Sequence, residues 1–265
     1  MHDVRPAAVA GMFYPDATAR LAAAVRGYLA AVAPDTGDPP KAVIVPHAGF
    51  VYSGPVAASA YARLAALRGR VTRVLLLGPT HRVAVRGLAL PRAHAFATPL
   101  GEVPIDAAAV AQARALPQVV VSDAAHALEH SLEVQLPFLQ SVLGTFSLVP
   151  FAVGDAAPEE VAAVLDLLWG GPETLIVVSS DLSHYRHHSE AARIDRATAD
   201  DILALSATLD HEQACGATPV NGFLLCARRR GLTPALLDLR NSGDTAGDRS
   251  RVVGYAAFAF TEHRT

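Results

Sequence analysis

Hydrophobic and polar positions along this chain fall into two alternating grammars. Leu21, Val25, Tyr28, Leu29 and Val32 recur at helical spacing and predict an amphipathic helix over residues 17–33 with one buried stripe. After a loop rich in Pro, Gly and Asp, the run Ala42-Val43-Ile44-Val45 is continuous and β-branched, as expected of a strand buried on both faces, and Pro46 closes it. The same pattern returns at Val74-Leu75-Leu76-Leu77, before Gly78-Pro79-Thr80-His81, and at Leu175-Ile176-Val177-Val178, before Ser179-Ser180-Asp181. Helical stretches are predicted near 56–67, 105–115, 158–169, 189–206 and 219–230, and Val252 to Phe260 reads as a closing strand. In the 158–169 segment, Pro158 suits a first helical position, and Glu159 and Glu160 complement the positive helix end.

Strands alternating with helices predict one three-layer α/β domain over residues 1–265, its central sheet mostly parallel or mixed and flanked by helices. No composition break or solenoid-length repeat divides the chain. In open α/β sheets ligands gather beyond the carboxyl ends of strands, so His47, His81 and Asp181 can converge although far apart in sequence.

With 51% hydrophobic residues in 265, the chain can bury a large core, and a net charge of -3 offers no global basic field for nucleic acid or an anionic membrane. Two cysteines, Cys215 and Cys226, make no disulfide framework and read as small buried hydrophobes. The amino terminus lacks the basic and apolar regions of a signal peptide, and no apolar run approaches the roughly 18 residues of a membrane span; the expected location is cytoplasmic.

Of eleven histidines, His47 and His81 follow buried strands beside small or turn-forming residues and are the better metal-ligand candidates. His2, His187, His188, His211 and His263 read as solvated. The segment His126 to Pro137, if helical, places His126, Glu129, His130 and Glu133 on one face, either a salt-paired solvated surface or a packed helix aiming His130 and Glu133 inward. Asp181 and His184, three apart after a strand, suit a carboxylate and a general base, while Asp181 or Ser183 equally suits a helix N-cap. Asn241 to Arg249 reads, taken alone, as a turn. Phosphate loop, dinucleotide fingerprint, zincin helix and nucleophile elbow are absent.

In order along the chain, the segment Val4 to Pro15, Pro46-His47-Ala48-Gly49-Phe50-Val51-Tyr52-Ser53-Gly54, Gly78-Pro79-Thr80-His81, Glu129-His130-Ser131-Leu132-Glu133, Ser179 to Tyr185 and Asn241-Ser242-Gly243-Asp244 together resemble the Memo family. That resemblance implies a fold and metal pocket like those of class III extradiol dioxygenases. It implies His47, His81 and Asp244 as ligands of a divalent metal, where animal relatives have cysteine at the third position and ring-cleaving enzymes glutamate. A two-His, one-carboxylate set favours Fe(II), with copper or zinc as alternatives. His184 is then the acid or base, and His130, Glu133 and Asp181 are groups that orient ligands or contact substrate. The resemblance implies a small chelating or aromatic substrate for an oxidoreductase. It equally admits a non-catalytic binding protein, taking a peptide or phosphotyrosine, handling metal, or working beside AMMECR-like and radical-SAM proteins.

Overall fold

The computed structural model describes residues 4–34 and 37–262; His2 and His263 lie outside them. Its elements begin with β1 (Val4–Arg5), α1 (Thr18–Ala30), β2 (Ala42–Val45), α2 (Phe50–Arg63), β3 (Arg73–Pro79), β4 (Leu88–Leu90), β5 (Ala95–Thr98), β6 (Gly101–Pro104), α3 (Ala107–Ala113) and β7 (Val119–Val121). There follow α4 (Asp123–Ala127), α5 (Leu136–Leu143), β8 (Ser147–Val153), α6 (Pro158–Leu168), β9 (Thr174–Ser179), β10 (His184–Arg186) and α7 (His188–Leu203). The chain ends through α8 (Ala217–Arg229), β11 (Thr233–Asn241), the short α9 (Ser242–Thr245) and β12 (Val252–Thr261).

The main sheet runs β10-β12-β2-β9-β3-β8-β4-β7, with β11 on β12, and a small sheet β1-β5-β6 lies apart from it. Strands β2, β9, β3 and β8 are parallel, and β12 pairs antiparallel with β2. Period-two alternation decides which residue enters which layer. Val43, Val45, Val74, Leu76 and Val177 join a core under α1, α2 and α5, while Ala42, Ile44, Leu75, Leu77, Ile176 and Val178 join a second core under α6 and α8. The three apolar runs are therefore the central strands of a three-layer α/β sheet, buried on both faces. Eight further strands, β1, β4 to β8, β10 and β11, are short, lack such runs or lie between breakers, and the pattern does not predict them.

Because β2, β9 and β3 are neighbours running the same way, the residues after them emerge side by side at one sheet edge. That register places His47, Asp181 and His81 together. Among the described residues no helix is long and apolar enough to cross a membrane.

Two local expectations are corrected. Residues 126–137 are not one helix: α4 stops at Ala127, a single 3-10 turn spans Glu133–Gln135, and α5 begins at Leu136, with Pro137 in its first turn. The Glu129 side chain accepts the backbone N–H groups of His130 and Ser131 (both 2.9 Å), a local alternative that competes with helical hydrogen bonding. Leu128 is 60% exposed, whereas Leu132 is buried. Nor does a helix start after Asp181. Residues His184–Arg186 form β10 on β12, and Asp181 binds the His47 N–H rather than capping anything.

Candidate metal centre

Gly78 on β3 starts the construction of the site. A Cβ there would lie 2.8 Å from the Ser131 hydroxyl, so only glycine lets the 129–133 segment press against the strand. Ser131 Oγ then donates to the Pro79 carbonyl (2.9 Å), and His130 is delivered beside the two strand-end histidines. One side-chain nitrogen from each of His47, His81 and His130 lies within 4.8 Å of the others. Their ring centroids are separated by 5.2 Å (His47 to His81), 5.3 Å (His47 to His130) and 4.6 Å (His81 to His130).

Surrounding hydrogen bonds settle which nitrogen His47 and His81 present. Ser179 Oγ donates to the Ser131 carbonyl (2.7 Å) and accepts from Gln135 Nε2 (2.8 Å), leaving one acceptor position for His47 Nδ1 at 2.8 Å. Gln135 is itself oriented, because its Oε1 accepts from Tyr61 and its Nε2 also donates to the Pro46 carbonyl. His47 Nδ1 therefore carries the hydrogen and Nε2 carries the lone pair. His81 Nδ1 donates to Glu129 Oε1 (2.9 Å), and His130 Nδ1 lies 3.3 Å from the same oxygen. His47 and His81 are thus left with Nε2 facing away from a serine and a carboxylate, and the same carboxylate stands beside His130, an arrangement that orients ligands and raises their basicity.

Electrostatics agree with ligand duty. Burial lowers the pKa of His130 to about 4 and that of His47 well below the ordinary value, so both rings are neutral at neutral pH. Burial would raise Glu129, but hydrogen bonds from His81 and from backbone N–H groups outweigh it and hold the carboxyl at about 2, a fixed negative charge behind the triad. Burial of Asp181 raises it to about 7 despite the His47 N–H it accepts at 2.7 Å. His184 is shifted downward by burial.

A cavity of about 590 Å³ opens onto the three imidazoles and is also lined by Asp181 and His184. A larger cavity of about 760 Å³, between α1, α2 and β11, contains no histidine.

The expectations for individual residues divide here. His47 and His81 come together as expected, and Asp181 and His184 face the same pocket. Asp244 is corrected as the third ligand. Its Oδ1 accepts from His188 Nε2 (2.7 Å) and its Oδ2 from the Asn241 N–H (3.1 Å), so one oxygen pairs with α7 and the other caps α9, and the residue belongs neither to the imidazole group nor to the pocket wall. His130 takes the third place, not an orienting one. Glu133 is corrected as a pocket group: it is fully buried, paired with Arg5, and accepts from Ala8 N–H (2.8 Å), Val9 N–H (3.0 Å) and the Tyr14 hydroxyl. Cys215, read as inert, places Sγ 3.3 Å from His47 Nε2, with burial raising its thiol to about 12. Ser179 and Gln135, which fix the His47 tautomer, carried no signal in the sequence beyond the first residue's place at a strand end.

A three-layer α/β protein with imidazoles gathered beyond parallel strand ends is a candidate metalloprotein by fold and site. The chain belongs to the Memo family: residues 5–259 match the Memo-like protein family. It is 33% identical to a MEMO1 family protein of Sulfolobus acidocaldarius, covering 97% of this chain and 99% of the relative. Identity is 36% to one of Methanopyrus kandleri, over 97% of this chain and 98% of the relative. In fold it is similar to the uncharacterized protein JW3007 of Escherichia coli K12, with a TM-score of 0.55 at 12% sequence identity, covering 82% of this chain and 98% of that one.

Proposed function

We propose that this protein is a metal-dependent oxidoreductase in which His47, His81 and His130 hold one divalent first-row ion, and that a small chelating or aromatic molecule reacts in the adjoining pocket. The observation that carries the reading is the convergence of one side-chain nitrogen from each of three histidines, two of which, His47 and His81, are oriented from behind through Nδ1. The donor chemistry fits, since neutral imidazoles suit iron, copper and zinc alike. With Asp244 engaged by His188, the carboxylate that singled out Fe(II) is gone, and the negative charge balancing the ion comes instead from Glu129, one hydrogen bond away. Fe(II) is the ion proposed, because it would supply dioxygen chemistry together with a Lewis-acid site for two substrate oxygens.

The chain's own residues do the remaining work. His184, neutral at physiological pH, accepts a proton from a substrate hydroxyl. Asp181 pins the His47 backbone through its N–H and so fixes the direction of that ring. The test is anaerobic loading with Fe(II), metal analysis, and oxygen uptake with and without catechol. One iron per chain, with uptake that disappears in His184→Ala while the iron stays bound, is the expected result. Stoichiometric zinc or copper in protein purified without chelators or nickel, together with no oxygen uptake after iron loading, would overturn it.

A further inference from the structure

Both His184 and Tyr185 line the cavity over the imidazoles, which a regular strand forbids because consecutive side chains point to opposite faces. The exception has a visible cause. β10 is irregular against β12, where His184 pairs with Val253 and Arg186 with Val252, and the unpaired Tyr185 sits at φ +59. A left-handed backbone at a residue with a large side chain is costly, and bulges of this kind re-aim side chains beside functional sites. Here the Tyr185 ring ends 63% exposed, edge-on to His184 at 5.7 Å, with the Arg251 guanidinium 5.1 Å from its centroid.

Arg251 also lines the cavity, and no ion pair joins it to a described carboxylate, unlike its neighbour Arg249, which reaches Asp244 at 3.9 Å. The acidic groups on the same wall are the buried Asp181 and the exposed Asp248, whose carboxylate accepts the Ser250 N–H. Phe13, Tyr52 and Tyr255 supply further aromatic wall, in a cavity whose size suits a small organic ligand.

From the bulge, the aromatic wall and the unpaired guanidinium we infer that the pocket selects a small aromatic acid, its ring against Tyr185 and Tyr52 and its oxyanion on Arg251. This rests on the metal reading only for the opposite end of the molecule, which faces the imidazoles. Guanidinium pairs with planar oxyanions through parallel hydrogen bonds, and a tyrosine face beneath it limits the orientations it samples.

The test uses zinc-loaded protein, which does not turn substrate over, and calorimetric titration with catechol, 3,4-dihydroxybenzoate, benzoate and phenyl phosphate. Wild type is expected to bind 3,4-dihydroxybenzoate about tenfold more tightly than catechol, the gain narrowing as salt is raised. Arg251→Met should erase that preference and leave catechol affinity and zinc stoichiometry unchanged, and Arg251→Lys should restore part of it. Tyr185→Gly should weaken acid binding while keeping or raising the melting temperature, which no purely architectural role would produce. Comparison of benzoate with phenyl phosphate tells whether the favoured oxyanion is a carboxylate or a phosphate. Equal affinity of wild type for catechol and its acid, or equal loss of both in Arg251→Met, would overturn the inference. If the protein takes up no zinc, the metal reading fails separately, and benzoate binding to the metal-free protein still reports on Arg251.

Discussion

Two loops of this protein carry clustered polar groups, His126, Glu129, His130 and Glu133 in one and Asn241, Asp244 and Asp248 in the other, and the fold uses them in opposite ways. The segment from His126 to Glu133 sends its polar groups across the molecule: Glu129 reaches His81, His126 Nε2 reaches the Ala89 carbonyl, and Glu133 anchors Arg5 and Tyr14. The loop from Asn241 to Arg249 satisfies most of these groups locally, with Asp244 on the Asn241 N–H, Asn241 Oδ1 on the Gly243 N–H and Asp248 on the Ser250 N–H, its longer reach being from Asp244 to His188. A buried polar group without long-range partners is penalised heavily, whereas an exposed turn satisfies its groups locally at little cost. Burial, more than residue type, separates the histidine that joins the metal group from the aspartate that does not.

The sharpest way to break this comparison is to remove one group from each loop. His130→Ala should weaken metal binding by more than about a hundredfold, because loss of a mere supporting partner already costs ten- to a hundredfold. Asp244→Ala should leave it within about twofold, so a competition titration that found the reverse order would restore Asp244 as the ligand. Next in size, Glu129→Gln keeps the acceptor for His81 and removes the charge; a loss of about tenfold in metal affinity is expected, with the fold intact by circular dichroism.

Asp195 tests the buried side through pH. Burial raises its carboxyl from 3.8 to about 6, against the Ser183 N–H it accepts at 3.0 Å. Between those values the folded state keeps a proton that the unfolded chain has released, so this group's contribution is complete below pH 4 and is lost as pH rises to about 6. His130 and His126, both lowered to about 4, run the other way, their contribution disappearing as pH falls from 6.5 toward 4. Asp195→Asn should therefore gain on wild type by about 1 to 3 kcal/mol between pH 4 and pH 7 in urea titrations. A pH-independent difference would show that the carboxyl titrates normally. The smallest effect belongs to the second loop: Asp244→Ala removes the reciprocal cap of α9 together with the half-exposed His188 contact and should cost about 1 kcal/mol of stability.

Some of the site was readable before any coordinates. Ala42 to Val45, Val74 to Leu77 and Leu175 to Val178 announce buried strands by unbroken apolar runs, and each is followed by the polar residues that face the pocket. His130 was visible as a histidine beside glutamates, yet its rank as a third donor was not. That rank depends on a turn set by Glu129 side-chain acceptance and on the close approach that Gly78 permits. The turn at 241–249 was readable from its own residues, and Asp244 as a ligand came only with the family resemblance, because a carboxylate in a glycine-rich loop looks the same in sequence whether it faces a metal or its own backbone.

The sequence by itself determined the layered α/β fold, since hydrophobic period and chain breakers are local properties, and it determined that His47 and His81 stand at strand ends. Only the tertiary structure decided the third donor, the tautomers of the rings and the entry of Tyr185 and Arg251 into the pocket. Those depend on which strands are neighbours and on which polar groups are left with a single remaining partner, quantities that do not exist until distant segments are packed together.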